Sequence, residues 1–170
     1  KALKSLTKDL ETDFTLQIDD INRTARKLIC FDMDSTLIQT EVIDELAIHA
    51  GVGEQVKAIT ESAMRGEIDF KASFKKRVAL LRGLDEAVMK EVLDKLPLSE
   101  GLDDLMFHLK KQGYKIAILS GGFTYFASHL QQKYGIDYMY ANQLEIEARK
   151  LTGRYVGEIV DGKYKLDKLI

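Results

Sequence analysis

The chain has 170 residues, 45% of them hydrophobic and 31% charged, with 12 glycines and a single proline, which excludes a disordered or low-complexity protein. Its formal net charge of −2 removes any general electrostatic case for nucleic acid or an anionic membrane as partner. One cysteine, Cys30, excludes an internal disulfide; no apolar run reaches the length of a membrane span, and KALKSLTKDLETD lacks a signal-peptide core, so a cytoplasmic protein is expected.

In chain order, FTLQI (14–18) alternates like a short strand and DDINRTARK reads as a connector, so residues 1–27 are expected to be a linker or the remnant of a preceding domain. LICFD (28–32) predicts a fully apolar strand of the kind covered on both faces, with Cys30 as a buried thiol. From 41 to 96 the apolar spacing is helical. Val42, Leu46 and His49 share one stripe, Val52, Val56 and Ile59 follow two glycines, Phe70, Phe74, Arg77 and Leu81 form one face, and Val88, Val92 and Leu96 another. These pieces predict a helical insertion between the first strand and the rest of a sheet.

After Pro97 helix and strand alternate: a helix with Leu102, Leu105, Met106 and Leu109, the strand KIAIL (115–119), a helix with Phe126, His129, Leu130 and Tyr134, and a short strand YMYA (138–141). LEIE and LTGRYV around ARK predict a β-hairpin, and a last helix is expected from Tyr164 to Ile170. The fold class is therefore α/β, a doubly wound, Rossmann-like parallel sheet with a core at 28–40 and 97–170 and an insertion at 41–96.

In such sheets ligands bind beyond the carboxyl ends of the strands. That rule selects FDMDSTL, after the first strand, and LSGGFT, after the second. Asp32 and Asp34 are costly as neighbouring anions unless a cation shares the site, and hard oxygen ligands suit Mg²⁺; alternatively Asp34 caps a turn with Ser35 and Thr36. Ser120, Gly121 and Gly122 can bring a hydroxyl and backbone N–H groups to an anion, or simply cap a strand–helix junction. Lys163, Lys165 and Lys168 read as a solvated helix start. Arg77, on an apolar stripe, either snorkels or grips a carboxylate. Glu41 complements a helix N-terminus or faces a ligand. His49, His108 and His129 share no metal-binding spacing and read as ordinary helix residues.

FDMDSTL, LSGG and a later lysine, in this order, resemble the haloacid dehalogenase (HAD) superfamily of aspartyl phosphotransferases. FDMDSTLIQTEVIDELA, AITESAMRGEIDF, KRVALLRGL, ILSGGFTYF and KLTGRYVGEIVDGKYK are more closely similar to its phosphoserine phosphatases, almost without interruption from 28 to 168. The resemblance implies a phosphoric monoester hydrolase that acts on O-phosphoserine as the last step of serine biosynthesis. By it Asp32 is the nucleophile and Asp34 the general acid and base. Mg²⁺ is held by the Asp32 carboxylate and the Asp34 carbonyl. Ser120, Gly121 and Lys165 bind the phosphate. Arg77 holds the substrate carboxylate, Glu41 its ammonium, and Met64 and Phe70 form apolar walls of a pocket under the helical cap. The expected partner is that small substrate, with no nucleic acid and no membrane, and a homodimer is left open.

The family continues with a strand ending in Gly-Asp-Gly-x-Asn-Asp, which this sequence does not contain. A fragment of a longer phosphatase is therefore expected, with an apolar strand edge left unpaired. Two alternatives accompany the phosphatase reading. One is a truncated, inactive chain or serine-binding module, and the other a phosphotransferase acting on another hydroxy-amino acid such as homoserine.

Overall fold

The computed structural model describes residues 27–169, so the strand expected at 14–18 lies outside the described residues. Strand β1 (Leu28–Phe31) is a run of bulky apolar residues of the kind that sheets favour, and it pairs in parallel with β2 (Lys115–Phe123) from Leu28 opposite Lys115 to Phe31 opposite Ile118. β2 pairs in parallel with β3 (Tyr138–Glu147), and β3 pairs antiparallel with β4 (Lys150–Val156), giving the order β1-β2-β3-β4. The α/β class expected from the alternation is present.

Three expectations need correction. β1 is not covered on both faces: Leu28 is 51% exposed, and Ile29, Cys30 and Phe31 are half-buried, because among the described residues β1 pairs on one side only. Cys30 is accordingly a half-buried thiol, its pKa raised by what burial it has. YMYA and LEIE are not two strands but one, since β3 runs on unbroken from the parallel sheet into the hairpin, which turns at Ala148 and Arg149, both at positive φ.

Between β1 and β2 come α1 (Val42–His49), α2 (Gly53–Met64), α3 (Phe70–Leu80), α4 (Ala87–Asp94) and α5 (Leu102–Lys111). The buried face of α1 is Val42, Ile43, Leu46 and Ala47, while His49, expected on that stripe, is exposed in the last turn. Asp69 caps α3, its side chain accepting from Ala72 N at 2.8 Å. The chain leaves and rejoins at one place. Ile38 bridges Leu98, Gln39 N donates to Pro97 O at 2.9 Å, Ser99 N to Leu37 O at 3.0 Å, and Ser99 Oγ to Thr36 O at 2.6 Å.

Helix α6 (Thr124–Tyr134) joins β2 to β3 and buries Phe126, Ala127, Leu130 and Tyr134, ending on Gly135 at φ 56°, a left-handed position that suits glycine. The last helix, α7 (Gly162–Asp167), starts two residues before the expected Tyr164 because Asp161 caps it, accepting from Tyr164 N at 2.7 Å. One core runs through both parts. Met33, Leu37, Ile38, Leu46, Phe74, Ile116, Ile118, Phe123 and Phe126 have essentially no exposed surface, each burial contributing about 1.5–3 kcal/mol of transfer free energy.

Candidate active site

At the carboxyl ends of β1 and β2 lies a cavity of about 220 Å³. Its lining includes Asp32, Asp34, Glu41, Phe70, Arg77, Gly121 and Lys165. Asp32 is the first residue past β1. Its Oδ1 accepts from Met33 N at 2.8 Å and its Oδ2 from Lys165 Nζ at 2.5 Å, a contact joining positions 133 residues apart. Of the three lysines around α7, Lys165 is the one that reaches Asp32, and Lys168 instead lies over the rings of Tyr140 and Tyr164.

Asp34 has two partners. Its Oδ1 accepts from Val42 N, the first residue of α1, at 2.9 Å, and its Oδ2 from Ser120 Oγ at 3.3 Å. Burial pushes its carboxyl up to about 6, and the charges of Glu41 and Asp32 act the same way, against the hydrogen bonds from Val42 and Ser120. The folded group thus holds its proton across a range, from its ordinary 3.8 to about 6, in which an unfolded one has lost it. Stability therefore falls as pH rises through that window, by on the order of 2–3 kcal/mol. We expect Asp34→Asn, in metal-free protein, to melt at higher temperature than wild type at pH 7, and the gain to vanish by about pH 4. Thermal melts at the two pH values check this, and a gain that persists in acid would refute it.

β2 does not stop at Leu119 as KIAIL suggested, but continues to Phe123, with a register shift between Leu119 and Phe123. Ser120, Gly121 and Gly122 are therefore a bulged part of the strand, not a separate turn. Ser120 is completely buried and absent from the cavity lining, and its Oγ accepts from Gly122 N at 2.9 Å. Its hydroxyl thus braces Asp34 and the bulge from behind. A Cβ on Gly122 would collide with Asp34 Oδ2 and stand 2.7 Å from Met33 Cε, so glycine is required by close approach. Gly122→Ala should lower stability by about 1–3 kcal/mol, read as a fall in Tm, and an unchanged Tm would remove the packing argument.

The opposite wall comes from the helices. Phe70 and Phe74 stack with centroids 6.3 Å apart, and the Phe70 ring edge lies 3.0 Å from where a Gly121 Cβ would be. Arg77, one turn after Phe74, is half-buried with Nε lacking a hydrogen-bond partner among the described residues; its Nη1 donates to Thr60 Oγ1 at 3.5 Å. Burial presses its pKa down, while Asp44, Glu41 and Asp34 raise it. Glu41 accepts from Ser35 Oγ at 3.0 Å, and Ser35 sits at φ 54°, an uncommon left-handed conformation for a serine. Lys71 on α3 pairs with Asp161 at 3.2 Å, so the helices also touch the segment that starts α7.

Met64 is the one predicted lining residue found on open surface: it ends α2, is 83% exposed and lies outside the cavity. Asp44, on α1, is half-buried and raises the Arg77 pKa through its charge. Asn142 was not singled out by sequence; it is 1% exposed and bonds to the glycine bulge, and its only signal was a polar residue just after the apolar YMYA. Among the described residues no group of three His, Cys, Asp or Glu side chains could hold a metal, and no helix is long and apolar enough to cross a membrane.

Fold and cavity together define an α/β protein with a charged, concave site at the carboxyl ends of its parallel strands, the side of such sheets where ligands bind. The chain belongs to the haloacid dehalogenase-like hydrolases, whose family profile matches residues 26–158. It is 46% identical to a phosphoserine phosphatase of Archaeoglobus fulgidus, over 97% of this chain and 48% of that protein. It superposes on a probable phosphoserine phosphatase of Vibrio cholerae with a TM-score of 0.83 and 45% identity, covering 98% of this chain and 51% of the other. A structure described as a phospho-aspartyl intermediate analogue of phosphoserine phosphatase matches with a TM-score of 0.78 at 41% identity, over 85% of this chain and 69% of that one. The chain spans about half the length of several curated relatives it matches.

Proposed function

We propose that this protein is a phosphoserine phosphatase, hydrolysing O-phosphoserine to serine and phosphate through an aspartyl-phosphate on Asp32. The observation that carries the reading is the pairing of chemistries in one cavity: Asp32 held by Lys165 at one wall, and at the other Arg77, whose buried Nε has no hydrogen-bond partner among the described residues. A phosphate needs the first and a carboxylate the second. The name of the Archaeoglobus relative and the phospho-aspartyl analogue of a similar enzyme support the same substrate and intermediate.

In this reading an Asp32 oxygen bonds to phosphorus as the bond to the serine oxygen breaks, and Asp34 gives that oxygen its proton. Water then attacks the aspartyl-phosphate, Asp34 takes a proton from it, and Asp32 is freed. A carboxyl titrating near 6 is suited to both duties around neutral pH. Lys165 and the backbone of Gly121 hold phosphate oxygens. Ser120 contributes through Gly122 N and Asp34 rather than from the cavity surface. Glu41 faces the substrate ammonium, Arg77 its carboxylate, and Phe70 its methylene, with residues 41–96 acting as the cap. Met64 stays outside this set.

The donor atoms suit a hard cation: the Asp32 carboxylate and the Asp34 carbonyl would hold Mg²⁺, which keeps waters and accepts few protein ligands. When bound, it would offset the repulsion between the carboxylate and the phosphate. Release of inorganic phosphate from O-phosphoserine with Mg²⁺ tests the reading, with Asp32→Asn as the control. No release above that control would overturn it.

A further inference from the structure

From Leu119 to Phe123 strand β2 advances four positions while β3 advances two, from Tyr140 to Asn142, so two residues of the glycine bulge have no partner across the ladder. Their carbonyls are taken up by one side chain. Asn142 Nδ2 donates to Gly121 O at 2.7 Å and to Gly122 O at 3.3 Å. Its Oδ1 accepts from Val160 N at 2.8 Å, and the residue is 1% exposed. Both ends of the carboxamide are thus engaged, the NH₂ by the glycine carbonyls and the oxygen by Val160 N.

The orientation matters. In a trans peptide C=O and N–H point opposite ways, so drawing the Gly121 carbonyl back onto Asn142 turns the Gly122 N–H forward, where it meets Ser120 Oγ at 2.9 Å beside Asp34. The other end of the carboxamide fixes Val160. The next residue, Asp161, caps α7, and Lys165 N donates to Asp161 O at 2.9 Å before its side chain returns to Asp32.

We infer that Asn142 is a positioning residue of this site: one buried amide ties the Gly121–Gly122 peptide to the segment that launches the Lys165 helix, and so sets the spacing between phosphate-binding backbone and ammonium. This rests on the phosphate role proposed above for Gly121 and Lys165. Because every substrate shares the phosphate, loss of Asn142 weakens all substrates alike, unlike a change at Arg77.

Asn142→Asp is the sharpest test. Its ionised form still accepts from Val160 N but has no proton for the glycine carbonyls; its neutral form, nearly the same shape, donates O–H to Gly121 O and restores the link. With Mg²⁺ present at pH 8, affinity for inorganic phosphate by calorimetry should fall at least about tenfold relative to wild type. kcat/KM should fall by a similar factor on both O-phosphoserine and p-nitrophenyl phosphate, and the variant-to-wild-type ratio should recover as pH drops toward the carboxyl's raised titration range. Asn142→Ser, which carries no charge, should show the loss without the recovery. Folded variants whose phosphate affinity and turnover stay within about threefold of wild type would overturn the inference. So would failure of both variants to fold, which would make Asn142 a residue of the fold alone. Wild type that binds phosphate but does not turn over O-phosphoserine would refute the proposed substrate only, and Asn142 would then be judged on the phosphate ratios. Wild type that binds no phosphate would refute both.

Discussion

Asp32→Asn is expected to lower kcat on O-phosphoserine by at least about 10⁴-fold while leaving the fold intact. An amide is no nucleophile toward phosphorus, so the loss falls on the chemical step. The amide also sets an N–H₂ or an uncharged oxygen against Lys165 Nζ, which now meets Oδ2 at 2.5 Å. Stability should hardly change. The Asp32 and Lys165 side chains are 45% and 27% exposed, and an ion pair so open to solvent contributes at most about 1 kcal/mol. Phosphate release and thermal melts, measured side by side, separate the two effects. Activity within tenfold of wild type would remove Asp32 as nucleophile.

Arg77→Ala should cut kcat/KM on O-phosphoserine about 10²-fold, mostly through KM, and change p-nitrophenyl phosphate less than about threefold. The first figure is what one or two hydrogen bonds to a charged group are worth, about 1.5–3 kcal/mol each. Arg77 is half-buried, burial presses its pKa down, and Nε has no partner among the described residues, so it bears a desolvation cost that a substrate carboxylate would relieve. Arg77→Lys should recover only part of the loss, since an ammonium cannot make two parallel bonds. Equal losses on both compounds would refute a role in selecting the amino acid.

Much of the α/β alternation was legible because its signals are local. LICF and KIAIL are apolar runs, and the stripe Phe70, Phe74, Arg77 follows the helical period onto one cavity wall. What escaped depended on pairing across the chain. Nothing in LSGGF announces a bulge, because the bulge is defined by what β3 offers opposite it. Asn142 directly follows the expected strand YMYA and carries no motif, and only its contacts with Gly121, Gly122 and Val160 reveal its place. Met64 fits the resemblance as a pocket wall, yet the helix period at the end of α2 leaves it in solvent. Asp34 departs from the turn-capping alternative: its oxygens accept from Val42 N at the start of α1 and from Ser120 Oγ, not from Ser35 or Thr36, and both partners lie well away in the chain.

The bridge between Ile38 and Leu98, fastened by Gln39, Leu37 and Ser99, has a consequence for how such a protein can change. A segment whose two ends are clamped together imposes almost no constraint on the length or content of what lies between, because the entropy of closing a loop grows only slowly with its size. Helices there can be exchanged or extended while β1 and β2 keep their register. The wall bearing Arg77 and the wall bearing Asp32 can therefore vary on separate schedules, so that one scaffold can acquire new preferences without rebuilding its chemistry.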